Sequence, residues 1–230
     1  MHEKPLSRIE LEEEILAACH VLEREGMVRA FGHVSARLPD VPGRFLITPR
    51  KALALVRREE LVEVDVESGQ PLGGFPPLEV PLHTEIYRAR PDVRAICRTH
   101  APWCSVFAAL GRPVRPVHGF GANLGAEVPV FLEPWLITTA ELGRAVAEVL
   151  GTGDAVLLRG NGQVVVGSSV GEACVKALFL EETAEILARA SALGEPLCLT
   201  AEEVERRRQM DRVHEPIRAW EYYRALAEPD

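Results

Sequence analysis

A chain of 230 residues with 47% hydrophobic and 26% charged residues has the balance of an ordinary globular protein, and one hydrophobic core can serve that length. The formal net charge of −8 leaves no excess of basic groups to displace counterions from phosphates, so a nucleic-acid partner is excluded. No run approaches the roughly 18 apolar residues of a membrane helix, and the charged start from Met1 to Glu14 lacks the apolar centre of an export signal, so no membrane partner and a cytoplasmic location are expected. Cys19, Cys97, Cys104, Cys174 and Cys198 are odd in number and form no C-x-x-C pair, which speaks against a disulfide framework or a cysteine-held structural zinc.

Ser7 and Glu10 form a capping-box pattern ahead of Ile9, Leu11, Ile15, Leu16, Cys19 and Leu22, which predicts an amphipathic helix ended by Gly26. Three short apolar or alternating runs follow, Val34 to Leu38, Phe45 to Thr48 and Leu61 to Val66, separated by turn residues and read as antiparallel strands. A second helix is predicted between Pro76-Pro77 and Pro91, with Pro81 early enough to be tolerated. Val93 to Thr99 reads as a buried strand, Trp103 to Leu110 as a short helix stopped by Gly111, and Val128 to Phe131 as another strand. Thr138 to Glu141 caps a helix that stops at Gly151.

Asn161-Gly162 between two valine-rich runs predicts a β-hairpin, with both turn residues taken to adopt positive φ. Ser169 to Glu172 caps a long helix to about Leu193, and Thr200 to Glu203 caps a last one that Pro216 interrupts. The succession predicts helices layered on a sheet in a single domain over 1–230, with 196–230 as a C-terminal helical extension.

Glu79 and His83 stand four apart on the second helix, a spacing that lets two side chains converge on one ligand and that equally describes a solvated pair. The helix leads into a strand ending Cys97-Arg98-Thr99-His100, and α/β proteins tend to place ligands at such carboxyl ends.

In order and spacing, Gly32-His33-Val34-Ser35-Ala36-Arg37, Leu46-Ile47-Thr48-Pro49, Glu79 with His83, Arg90-Pro91-Asp92, Thr99-His100-Ala101, the hairpin and Gly171-Glu172-Ala173 resemble the class II aldolase and adducin family. The resemblance spans about Ile9 to Ala190 and implies a three-layer α/β/α fold around a largely antiparallel sheet. It also implies a lyase that stabilises an enediolate, with a divalent metal, zinc foremost, held by a His-x-His pair and a hairpin histidine beside a carboxylate that moves protons. Glu79 falls on the carboxylate and His100 on the second histidine of the pair.

The other two histidine positions are occupied by Arg98 and Asn161, so the implied metal site is incomplete. A metal would have to use Glu79, His100 and a further donor such as His83 or His118. Two readings of Arg98 stay open: its planar fork binds a substrate anion, or it forms a structural ion pair with Glu79 in an inactive site. The family's anion pocket maps onto His33, Ser35, Thr48, Arg50 and Lys51, with Asn161 at its edge. The usual serines before the acid are Pro76 and Pro77, which points to a carboxylate rather than a phosphate. The expected activity is retro-aldol cleavage or decarboxylation of a small anionic hydroxy- or oxo-acid or sugar phosphate, with Glu79, His100 and Arg98 as the catalytic groups. The alternative is a non-catalytic module like the adducin head. The resemblance further implies a homotetramer whose sites borrow a tyrosine from a neighbour; Tyr222 and Tyr223 are candidates by location only, and packing of Trp220 and these tyrosines against the core or an interface is the favoured reading of them.

Overall fold

The computed structural model describes residues 6–211 and 214–227. Helix α1 (Arg8–Arg24) begins with the capping box in place: the Ser7 hydroxyl accepts from the Glu10 amide, and the Glu10 carboxylate accepts from the Ser7 amide at 2.6 Å. Its inner side buries Leu11, Ile15, Cys19 and Leu22, whereas Ile9 faces solvent, so the apolar stripe starts at Leu11 rather than at Ile9.

Seven strands form one sheet among the described residues: β1 (His33–Arg37), β2 (Arg44–Ile47), β3 (Val62–Asp65), β4 (Ala95–Thr99), β5 (Val130–Phe131), β6 (Ala155–Leu158) and β7 (Gly162–Gly167). Their order is β3-β2-β1-β4-β7-β6-β5, with antiparallel pairing except for the parallel pair β5 and β6. The central strands are buried on both faces, which explains why β4, β6 and β7 read as continuous apolar runs rather than as alternation.

Helices cover both faces, giving the α/β/α arrangement. On one side α1, α3 (Pro102–Leu110) and α5 (Val170–Leu193) pack over Val34, Ala36, Ala95, Cys97 and Val165. On the other, α2 (Val80–Ala89) and α4 (Ala140–Leu150) pack over Phe45, Ile47, Ile96, Val164 and Val166. Each leucine or isoleucine buried in these two layers contributes roughly 1.5–3 kcal/mol. Helices α6 (Ala201–Asp211) and α7 (His214–Ala227) follow, and α7 lies against α5 and α1. Pro216 sits in the first turn of α7, where its missing amide costs nothing, and so opens a helix rather than interrupting one.

Helix α2 starts just after its cap Glu79, where Pro81 is accommodated because a first-turn amide has no partner within the helix, and it ends at the cap Arg90, held out of the helical region by Pro91. Hairpin β6-β7 forms, but its turn differs from the sequence expectation. Leu158 pairs with Gly162, the Asn161 amide donates to the Leu158 carbonyl at 2.9 Å, and the positive φ of 73° falls on Gly160. Asn161 keeps negative φ and Gly162 is the first strand residue, so a loop of Arg159, Gly160 and Asn161 closes the hairpin.

Candidate active site

Alternation along the strands brings the chemistry to one end of the face beneath α2. His33 and Arg98 are register partners on β1 and β4, and residues two apart share a face, so His33, Ser35 and Arg98 line up there, with His100 just beyond the strand end. The hairpin reaches this end by a close approach: at Gly162, with φ of 78°, a Cβ would lie 2.0 Å from the Thr99 carbonyl oxygen. Only glycine lets the loop sit against the end of β4 and turn Asn161 inward.

Arg98 is the centre of the cluster. It is 2% exposed, and its Nη2 lies 3.1 Å from Glu79 Oε2. The guanidinium also donates to Asn161 Oδ1 and to His100 Nε2. Asn161 in turn donates through Nδ2 to Glu79 Oε1 at 2.7 Å, and the Ile137 amide donates to the same oxygen at 3.3 Å. Glu79 is thus gripped by an arginine, an amide side chain and a backbone N–H, which fixes its orientation. An arginine has only donors, so His100 Nε2 is the acceptor and neutral His100 carries its proton on Nδ1.

The histidines here are neutral at physiological pH. Burial and then the positive Arg98 bring the His100 pKa down to about 4. Burial, with Arg98 second, takes His83 to about 3. His33 is held well below its ordinary value by burial and by His83, Arg98 and His100. Its Nδ1 lies 4.0 Å from Glu79 Oε2. Burial lowers the Arg98 pKa while Glu79 raises it.

Several predicted site residues do other work. His83 leaves Glu79 and bonds through Nδ1 to Ser35 Oγ at 2.8 Å, because Glu79 is the non-helical cap of α2 and its side chain swings toward Arg98. Ser35 is within 2.9 Å of Tyr87 Oη, a residue that sequence reasoning missed although His83 and Tyr87 are themselves four apart on α2. The Thr48 hydroxyl accepts from the Val34 amide at 3.2 Å, and Lys51 is paired with Glu60 at 2.8 Å, so the expected anion pocket does not assemble as a set. Arg50 is exposed at the Phe75 loop, and His118 bonds to Thr183 in a different part of the molecule. Tyr222 is exposed and Tyr223 packs on the α5 side.

The expected metal ligands Glu79, His83 and His100 do not converge. Arg98 is bonded to both Glu79 and His100, and His83 points to Ser35. Among the described residues no group of three His, Cys, Asp or Glu side chains is placed to hold a metal ion. A fixed cation at the centre of the donors opposes a second one, so these residues do not fit the divalent metal that class II aldolases generally use.

A cavity of ≈ 790 Å³ opens at the opposite end of the sheet, beneath α7. Its lining is held by ion pairs, Lys176 with Asp154 and Glu172, Arg90 with Asp92, and Arg224 with Glu14.

The sequence profile described as Class II Aldolase and Adducin N-terminal domain matches residues 13–188, which include every member of this cluster. The chain belongs to the class II aldolase and adducin family. Within the family it is 34% identical over 197 residues to a 3,4-dihydroxyphthalate decarboxylase from Rhodococcus jostii, covering 78% of this chain and 80% of that one. It is 32% identical over 204 residues to a 5-methylthioribulose-1-phosphate/5-deoxyribulose-1-phosphate aldolase from Rhodospirillum rubrum, covering 88% and 91%. Among solved structures of the family, the L-fuculose-1-phosphate aldolase from Thermus thermophilus superposes with a TM-score of 0.72 at 30% identity, covering 81% of this chain and 96% of that one. The three-layer fold and its sheet are those of the class II aldolases.

Proposed function

We propose that this class II aldolase-family lyase breaks a carbon–carbon bond in a small carboxylate substrate, a hydroxy- or oxo-acid, with decarboxylation favoured over retro-aldol cleavage of a sugar phosphate. The lyase class rests on the relatives, which are decarboxylases and aldolases. The observation that carries the finer reading is the buried Arg98, held by Glu79, Asn161 and His100 where the resemblance implies a metal-binding histidine.

When carbon dioxide leaves an oxo-acid, the electron pair of the broken bond passes to the neighbouring carbonyl oxygen, which gains negative charge; in a hydroxylated aromatic acid the ring carbon bearing the carboxylate takes its proton first, so that the hydroxyl oxygen becomes the carbonyl that receives the pair. A preorganised guanidinium in a water-poor site stabilises such an oxygen without reorganising, the kind of contribution that an oxyanion hole supplies. Glu79 delivers to the carbon a proton drawn from water, and the product leaves with hydrogen in place of the carboxylate. His100 keeps the plane of the guanidinium fixed. Pro76 and Pro77 before the acid offer no hydroxyls to a phosphate, which supports a carboxylate substrate.

The decisive assay follows carbon dioxide release from hydroxy- and oxo-acids, 3,4-dihydroxyphthalate among them, and aldehyde release from sugar phosphates, each with and without a chelator. Chelator-insensitive decarboxylation supports the reading. Turnover confined to sugar phosphates, or lost with the chelator, overturns it.

The same reading includes a single cytoplasmic domain with 196–230 as its helical extension, assembled as a homotetramer. Phe31 at 73%, Phe75 at 85% and Trp135 at 61% exposure are large apolar rings left open to solvent, which supports burial between subunits. Light scattering at four chain masses is the expected result.

A further inference from the structure

Behind the Arg98 cluster, three polar side chains run inward in a line. Tyr87 Oη is 2.9 Å from Ser35 Oγ, which is 2.8 Å from His83 Nδ1, and none of the three is more than 1% exposed. The bookkeeping of donors gives the line a direction. A buried tyrosine O–H needs an acceptor, and Ser35 Oγ is the only one it reaches among the described residues. With the tyrosine donating to Ser35, the serine O–H is free to donate to His83 Nδ1. The opposite direction would strand the tyrosine proton and leave a lone pair unused on His83 Nε2.

His83 therefore carries its proton on Nε2, and that nitrogen is buried with no partner. A second ring nitrogen without a partner stands nearby: His33 Nδ1 is buried and unbonded, the two rings are 5.8 Å apart between centroids, and His33 Nδ1 is 4.0 Å from Glu79. Leaving such groups unmet in a protein interior costs about 1–3 kcal/mol each, so a fold that keeps two side by side implies an acceptor that arrives later.

We propose that Tyr87, Ser35 and His83 form a relay that fixes His83 as the Nε2–H tautomer, and that this N–H and His33 together bind one oxygen of the substrate's carboxylate. The inference rests on the carboxylate-lyase reading and adds to it: with the charges of Arg98 and Glu79 balancing each other, the substrate's anionic group is received by neutral imidazoles, with the His83 N–H as the donor that the relay fixes. Tyr87 and Ser35 are positioning residues, since they act only through His83.

The test uses the full chain with ¹⁵N-labelled imidazoles and oxalate as a small dianionic probe. In the unmodified protein, two-bond ¹H–¹⁵N spectra at neutral pH are expected to show His83 protonated on Nε2. Tyr87→Phe, which keeps the ring and removes only the donor, is expected to shift His83 toward a mixture of tautomers, and Ser35→Ala to do so further. Oxalate is expected to move the His33 and His83 nitrogen signals, and to bind about tenfold more weakly to the Tyr87→Phe protein, as for the loss of one well-formed hydrogen bond. His83 protonated on Nδ1 in the unmodified protein overturns the relay. Oxalate that shifts His100 but neither His33 nor His83 overturns the binding role and leaves the lyase reading standing, whereas no shift anywhere in the site sinks both.

Discussion

The guanidinium of Arg98 lies 3.1 Å from the carboxylate of Glu79, both side chains are almost wholly buried, and Asn161 bonds to each of them. Removing one partner from such a pair strands the other charge. Arg98→Met is expected to destabilise the fold by about 3–5 kcal/mol, and the double variant with Glu79→Gln by clearly less than the sum of the two single changes. Chemical denaturation of the four proteins checks this, and simple additivity would mean that the pair is not coupled.

Glu79→Gln alone keeps the shape of the side chain while removing the group that carries the proton. Turnover is expected to fall by at least 10²-fold, the scale of a lost general acid or base, with the circular dichroism spectrum preserved. Undiminished turnover would take Glu79 out of the mechanism.

Restoring histidine at the two substituted positions should change what the site holds. The Arg98→His/Asn161→His double variant is expected to purify with close to one zinc per chain by elemental analysis, against well under one for the parent. The physical cause is the removal of the buried cation together with the gain of two imidazole donors. Equal metal content in both proteins would show that Arg98 is not what excludes the ion.

Neutral, buried histidines also set a pH dependence for stability. The folded pKa of His83 is about 3 and that of His100 about 4, both below the unfolded value of 6.5, so the unfolded chain takes up protons first as pH falls. Their contribution is present above pH 6.5 and is lost as pH drops toward the folded values. At about pH 5 the loss from His83 alone is roughly 2 kcal/mol, read as a lower Tm. His83→Gln should flatten that slope.

Gly162→Ala is expected to cost about 3 kcal/mol or more, since the new methyl would lie 2.0 Å from the Thr99 carbonyl oxygen and φ is 78°. Withdrawal of the Asn161 loop should lower activity further than it lowers Tm, which parallel kinetic and thermal measurements would reveal.

Much of the layered fold could be read from local patterns, because caps, prolines and turn glycines act within a few residues. The Ser7 box, the Pro81 start of α2, the Gly111 stop and the β6-β7 hairpin all belong to that class. The turn itself was misjudged because Gly160 and Gly162 both supply positive φ, and the pairing of Leu158 with Gly162, a long-range matter, decides which one sits in the loop. The site was legible as a set of residues but not as a set of contacts. Four-residue spacing placed Glu79 and His83 together, yet the first is a cap and the second a helical residue, so they point apart. Tyr87 escaped notice because its importance depends on a serine 52 positions away.

The register of β1 and β4 has one more consequence. His33, Arg98 and the hairpin loop are contributed by strand ends whose backbones are already satisfied by the sheet, and the two apolar layers that stabilise the fold lie elsewhere. Arg98 and Glu79 are coupled and have to be exchanged together, but a joint replacement of these few side chains leaves both apolar layers untouched, so the scaffold is free to change its reaction over evolutionary time by rewriting four or five letters while the architecture remains constant.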